Sequence, residues 1–121
     1  MEERRQYTRF IDKGSVILML EYNVSRSIKA DLIDISSLGM GVITRESIEI
    51  GTNVAFELMT KLWNAPIIGE GKIIYIKEIQ KEDKKFFRVG IDFVKVEKES
   101  IRCIINLLQK EICFKIRKKV I

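Results

Sequence analysis

A chain of 121 residues with 22 Lys+Arg, 17 Asp+Glu and no histidine excludes several functions before any pattern is read. It has the size of one domain and can bury a core without staples, and 46% hydrophobic with 32% charged residues is ordinary for a globular protein. The net charge of +5 favours an anionic partner, while the lack of imidazole removes Ser–His pairs, histidine bases and His-ligated zinc.

The first ten residues are crowded with charge (Glu2, Glu3, Arg4, Arg5, Arg9) and show no buried-face pattern, so residues 1–10 read as a mobile arm. Ser15–Tyr22 is β-branched and aliphatic, a strand. A turn at Asn23–Ser25 leads to a second strand, Arg26–Ile35. There Ile28, Ala30, Leu32 or Ile33, and Ile35 alternate with Arg26, Lys29, Asp31 and Asp34. Ser36–Gly39 is a tight loop before a third strand, Met40–Thr44.

Glu46–Gly51 is a polar connection closed by Gly51, and Asn53–Met59 is a fourth strand with Val54, Phe56 and Leu58 inward. Lys61–Ala65 reads as a loop containing Trp63, and Pro66 opens a long fifth strand, Ile67–Ile79, bent at Gly69 or Gly71. Gln80–Lys85 is a charged hairpin loop, and Phe86–Val96 is the sixth strand with Phe87, Val89, Ile91 and Phe93 on one face. The period then changes. Ile101, Ile104, Ile105, Leu108 and Ile112 recur at helical spacing, predicting a helix from Glu99 to about Lys115, with its basic end reaching Arg117.

Six short strands and one helix predict an all-β fold with one C-terminal helix: a six-stranded antiparallel β-barrel whose closure removes exposed edges. The expected organisation is a single domain over 1–121, with an arm at 1–10, the barrel at 15–96 and the helix at 99–117. That helix is long for a core cover alone, so its last turns offer a homodimer surface. No apolar run nears the roughly 18–20 residues that span a bilayer, and no signal-peptide core follows Met1; the expectation is a cytoplasmic protein with no membrane span. Cys103 and Cys113 would lie about 15 Å apart along the helix, too far for a disulfide, and read as packing residues. Neither a metal nor a cofactor is expected. Asp, Glu, Lys, Ser and Cys side chains remain, but none is arranged as a nucleophile with a base, so no enzyme is expected.

Two motifs carry chemistry. Arg5 and Arg9, four residues apart, each present a planar fork able to bind phosphate or the O6/N7 edge of guanine. In Asp34-Ile-Ser36-Ser-Leu-Gly39, a carboxylate and a hydroxyl two residues apart leave one strand face. There Asp34 can accept the N1–H and N2–H of a guanine beside Ser36. Gly39 is expected at positive φ, closing the turn. Either motif alone occurs often by chance or as a local turn; their conjunction, with two predicted strands between, carries the weight.

On these residues, positions 4–108 resemble a PilZ domain, the bacterial receptor module for cyclic di-GMP. Arg5 and Arg9 match the family's Arg-x-x-x-Arg motif, and Asp34, Ser36 and Gly39 match its Asp/Asn-x-Ser-x-x-Gly motif. Gly51-Thr52, Gly71 and Val89-Gly90-Ile91-Asp92-Phe93 are further similarities. The resemblance implies a barrel with a C-terminal helix and cyclic di-GMP as ligand. It also implies arm arginines clamping guanine and phosphate while Asp34 and Ser36 read the base. Arg4 precedes the first motif; relatives with an arginine there often bind two intercalated ligand molecules, which favours a ligand dimer.

The expected function is thus a non-catalytic cyclic di-GMP receptor or adaptor. It orders its arm on binding and signals in trans to an unidentified downstream protein, in motility or biofilm regulation. One alternative is a PilZ-like interaction adaptor without ligand binding. Another is a small basic barrel binding nucleic acid, against which the inward placement of most aromatics argues. Trp63 reads as packing rather than a stacking platform. Arg26, Lys29, Arg45 and Arg88 are exposed strand cations by default.

Overall fold

The computed structural model describes residues 10–60, 63–103 and 105–107. The strands are β1 (Phe10–Leu20), β2 (Ser27–Ile35), β3 (Gly39–Thr44), β4 (Asn53–Thr60), β5 (Trp63–Lys81) and β6 (Lys84–Val96). They close into a barrel in the order β1-β2-β3-β6-β5-β4, with β4 returning to pair with β1 and every pairing antiparallel. Helical residues 98–103 and 105–107 follow as α1. Residues 1–9 of the expected arm, with Arg4, Arg5 and Arg9, lie outside the described residues, as do the helix end, its homodimer surface and Cys113. Phe10, expected to end the arm, opens β1. No helix among the described residues is long and apolar enough to cross a membrane.

Strand alternation builds the interior. Val16, Leu18, Val54, Phe56, Leu58, Val89 and Ile91 are almost wholly buried, while their neighbours Ile68 and Val94 stand in solvent. Phe56 sits at the centre. Its ring tip lies over Gly69, where a Cβ would come within 2.5 Å of it, and its centroid is 5.4 Å from that of Phe93. Ile48, in the connection read as polar, turns inward and is buried, and Ile101 of α1 joins the same core. The expected bend in β5 appears as a register shift at Glu70/Gly71, and a second lies at Ile73/Tyr75.

Several boundaries differ from the sequence expectation. β1 begins at Phe10 and ends at Leu20; Glu21 and Tyr22 take left-handed backbone (φ 52° and 60°) and turn the chain instead of extending the strand. Asn23 then caps a single helical turn, accepting from the Ser25 N–H at 3.1 Å and its hydroxyl at 2.7 Å. Trp63 belongs to β5 rather than to a loop, because its backbone pairs opposite Thr60. Pro66 is tolerated inside that strand because it falls at the register break opposite Leu58–Thr60. It also lies before pairing with β6 begins at Gly69. The charged β5–β6 loop shrinks to Glu82 and Asp83, whose left-handed angles (φ 52° and 64°) make the two-residue turn that suits strand twist.

This packing predicts a contrast between two faces of the barrel. Phe56→Ala should lower the free energy of unfolding by about 3–5 kcal/mol. Ile68→Ala, at a position 68% exposed, should stay within about 0.5 kcal/mol of wild type. Urea denaturation followed by circular dichroism measures both, and equal losses would contradict the inward–outward assignment.

Candidate functional site

The site begins with an irregularity in β2. Leu32 pairs with Val42, but Asp34, not Ile33, pairs with Gly41, so Ile33 is an extra residue in the ladder. The extra residue resets the alternation. Leu32 and Ile35 both point into the core, and Asp34 between them emerges on the outer face of the barrel. This also settles the open choice in β2: Leu32, not Ile33, is the core residue.

Asp34 is nonetheless buried. Its carboxylate lies across the backbone of Gly41, where a Cβ would stand only 2.8 Å from Oδ1. From β6, the Arg88 guanidinium donates through Nη2 to Asp34 Oδ2 at 3.2 Å. The Arg88 side chain is 45% exposed and that of Asp34 only 11%, so the cation keeps a face toward solvent. One row across the outer surface reads Asp34, Gly41, Gly90, Tyr75 on β2, β3, β6 and β5. Tyr75 leans over Gly90 as Asp34 leans over Gly41, since a Cβ at Gly90 would lie 3.1 Å from Tyr75 Cβ. Two glycines therefore floor a shallow surface walled by Asp34 with Arg88 on one side and by Tyr75 on the other.

The β2–β3 turn abuts this surface. Ser36 N–H donates to the Gly39 carbonyl at 2.9 Å, and the Ser36 hydroxyl donates to the same oxygen at 3.4 Å. That hydroxyl also accepts from the Leu38 N–H at 3.3 Å, so the buried Ser36 organises its own turn through two long contacts. Gly39 corrects an expectation. Among the described residues Gly51 is the glycine with positive φ (92°), whereas Gly39 is an ordinary strand residue paired with Asp92. What position 39 requires is absence of a side chain, because a Cβ there would collide with the carbonyl oxygen of Ile91.

Of the sequence-predicted residues, the structure brings Asp34, Ser36 and Gly39 to one corner. Arg4, Arg5 and Arg9 lie outside the described residues, but Phe10 pairs with Ile35 and Ile11 with Asp34, so β1 starts beside this corner. Of the other cations, Arg26 pairs with Glu21 at 3.4 Å and Arg45 stacks on Phe86 at 5.0 Å, both away from it. Arg88, left by the sequence as an exposed strand cation, joins the candidate site through its contact with Asp34. The signal was present, because inward positions at Phe87 and Val89 force Arg88 outward. Only the barrel order, which seats β6 next to β3, reveals the proximity to Asp34. No group of three or more metal-ligating side chains occurs among the described residues.

A buried carboxylate facing outward can accept paired N–H groups from a flat heterocycle edge, and a half-exposed guanidinium beside it can take a phosphate. A glycine floor lets a planar group approach the sheet closely.

Comparisons with known proteins give this arrangement a context. The structure is similar to the PilZ domain with c-di-GMP of YcgR from Escherichia coli, at a TM-score of 0.74 and 21% identity, covering 95% of this chain and 98% of that one. It is similar to the K. pneumonia MrkH–c-di-GMP complex, with a TM-score of 0.74 and 17% identity over 95% of this chain and 54% of that one. It is also similar to the Bacillus subtilis inhibitor of motility MotI/DgrA, with a TM-score of 0.66 and 19% identity over 88% of this chain and 53% of that one. The chain thus spans about half the length of the latter two. No curated protein sequence matches it significantly. The PilZ domain model, by contrast, matches residues 3–110, nearly the whole chain, and the protein belongs to the PilZ domain family.

Proposed function

We propose that this protein is a non-catalytic receptor for cyclic di-GMP that acts in the bacterial cytoplasm. The observation that carries the reading is the Asp34 carboxylate, turned outward by the β2 bulge and seated over Gly41 beside Arg88. Asp34 takes the N1–H and N2–H of a guanine, and Ser36 assists from the turn. Arg88 supplies a phosphate contact on the barrel itself, while Arg5 and Arg9 close over the ligand from the arm, whose entry point at Phe10 adjoins Ile35. Binding orders residues 1–9 against the barrel and so changes the surface presented to a downstream protein. Arg4 adds a cation that offsets the charge of a second dinucleotide, favouring an intercalated ligand dimer. The solved relatives described as c-di-GMP complexes or as an inhibitor of motility support this reading and a place in motility or biofilm control.

One observation favours a second reading, an adaptor without ligand. Asp34 already has Arg88 as a partner, and the Ser36 hydroxyl already serves its turn. Titration calorimetry separates the two. Under the receptor reading the wild type binds cyclic di-GMP, and Asp34→Ala and Arg9→Ala each lose at least a hundredfold in affinity, since hydrogen bonds to charged groups contribute about 1.5–3 kcal/mol each. Normal affinity in both variants would remove the site, and a silent wild type would leave the adaptor.

Gly41→Val gives a sharper expectation. Its side chain displaces the Asp34 carboxylate, so nucleotide affinity should fall tenfold or more while circular dichroism keeps the β signature. Undiminished affinity would show that the seat over Gly41 is irrelevant to binding.

A further inference from the structure

The turn that holds Ser36 has a second neighbour. Ser37 and Leu38 form one wall of a cavity of about 840 Å³ between the end of β6 and α1. Its apolar surface comes from Leu38, Phe93, Val94, Val96, Ile101 and Ile105, and its rim carries Lys95, Lys98 and Arg102. No carboxylate lines it among the described residues. Arg102 pairs with Glu99 at 3.2 Å, but both side chains are about two-thirds or more exposed, and such a pair exchanges partners readily. Leu38 and Val94, 46% and 66% exposed, hold apolar side chains in water beside it.

We infer that this trough is the output surface of the domain and that it receives an acidic amphipathic segment of a partner protein. The chemistry selects that occupant. A small polar ligand needs a few fixed polar groups to orient it, whereas the trough's charges sit on long, exposed side chains around an apolar floor. A second copy would set the same three cations against one another across a twofold axis. A helix with apolar residues at i, i+3 or i+4 and i+7, flanked by Asp or Glu, satisfies both floor and rim.

The inference rests on the receptor reading in one respect, its control. The Leu38 carbonyl accepts from the Phe93 N–H at 2.8 Å, and the Leu38 N–H donates to the Ser36 hydroxyl at 3.3 Å. A base that engages Ser36 therefore shifts the residue whose side chain walls the trough. Two sites sharing one turn are coupled, and linkage makes the coupling reciprocal.

The test is a peptide-display selection on the purified protein with and without saturating cyclic di-GMP. Binding of enriched peptides is then measured by fluorescence anisotropy. The expected peptides place Asp or Glu beside apolar residues at helical spacing. They lose tenfold or more on Val94→Asp and on Lys98→Glu, and keep their affinity on Ile50→Asp, a control at a comparably exposed apolar position that lines no part of the trough. Cyclic di-GMP should change their affinity at least about fivefold. No enriched peptides, or peptides indifferent to both trough variants, would overturn the docking site. So would self-association in sedimentation that Val94→Asp abolishes, because the occupant would then be a second copy. Trough binding that ignores bound nucleotide would overturn the coupling. Nucleotide binding is measured separately, so a failed receptor and a failed trough give different results.

Discussion

One extra residue in β2 sets the geometry of the candidate site on this barrel. A strand that alternates without interruption would send Leu32 inward, Ile33 outward and Asp34 into a core lined by Met40, Val42 and Ile91. A lone carboxylate there would cost several kcal/mol. With Ile33 taken out of register, Asp34 reaches the outer surface and Ile35 keeps the core filled. The same irregularity therefore satisfies the fold and exposes the chemistry. Bulges of this kind are found beside functional sites because they re-aim one side chain without moving the sheet.

Close backbone approach is the second constraint. At Gly39 the missing side chain lets β3 run tightly against the Ile91 carbonyl, and at Gly41 it leaves room for a carboxylate to lie flat on the sheet. Gly90 does the same for Tyr75. A sheet ordinarily gains from side-chain pairs across its strands. Here β3 and β6 give up two such pairs, Gly39↔Asp92 and Gly41↔Gly90, in the stretch next to the turn. The hydrogen-bonded ladder and the buried pairs Met40↔Ile91 and Val42↔Val89 hold the strands together instead.

Much of this is legible in the sequence. Apolar alternation fixed the six strands and the inward face of β6, and the change of period fixed the helix, because both signals are local. The Asp34–Gly39 motif also pointed to the corner where Asp34, Ser36 and Gly39 come together. Three features were not legible, for physical reasons. Ile33 and Leu32 are equally apolar, so the bulge between them depends on the partner strand. The requirement at Gly39 arises from Ile91, which is distant in sequence, rather than from its own turn. Arg88 resembles any exposed strand cation until the pairing of β6 with β3 places it one strand away from β2. In each case the missing information was long-range pairing, which composition and periodicity do not contain.

If the chain binds a guanine nucleotide as proposed, the contact between Arg88 and Asp34 bears on selectivity. A carboxylate this covered has lost most of its water, so a ligand that displaces the guanidinium must replace its N–H groups with equally good donors. Guanine presents two donors side by side on its Watson–Crick edge and meets that demand, whereas the ring N1 of adenine is an acceptor and would face the carboxylate lone pairs. The released Arg88 needs an anion in turn, and a phosphate of the same ligand supplies it. For a proposed guanine ligand the exchange satisfies both groups, whereas a ligand that satisfies one alone leaves the other unpaired. Under the receptor reading, the internal ion pair sets a threshold that a nucleotide crosses only by carrying both the right base edge and a phosphate within reach of it.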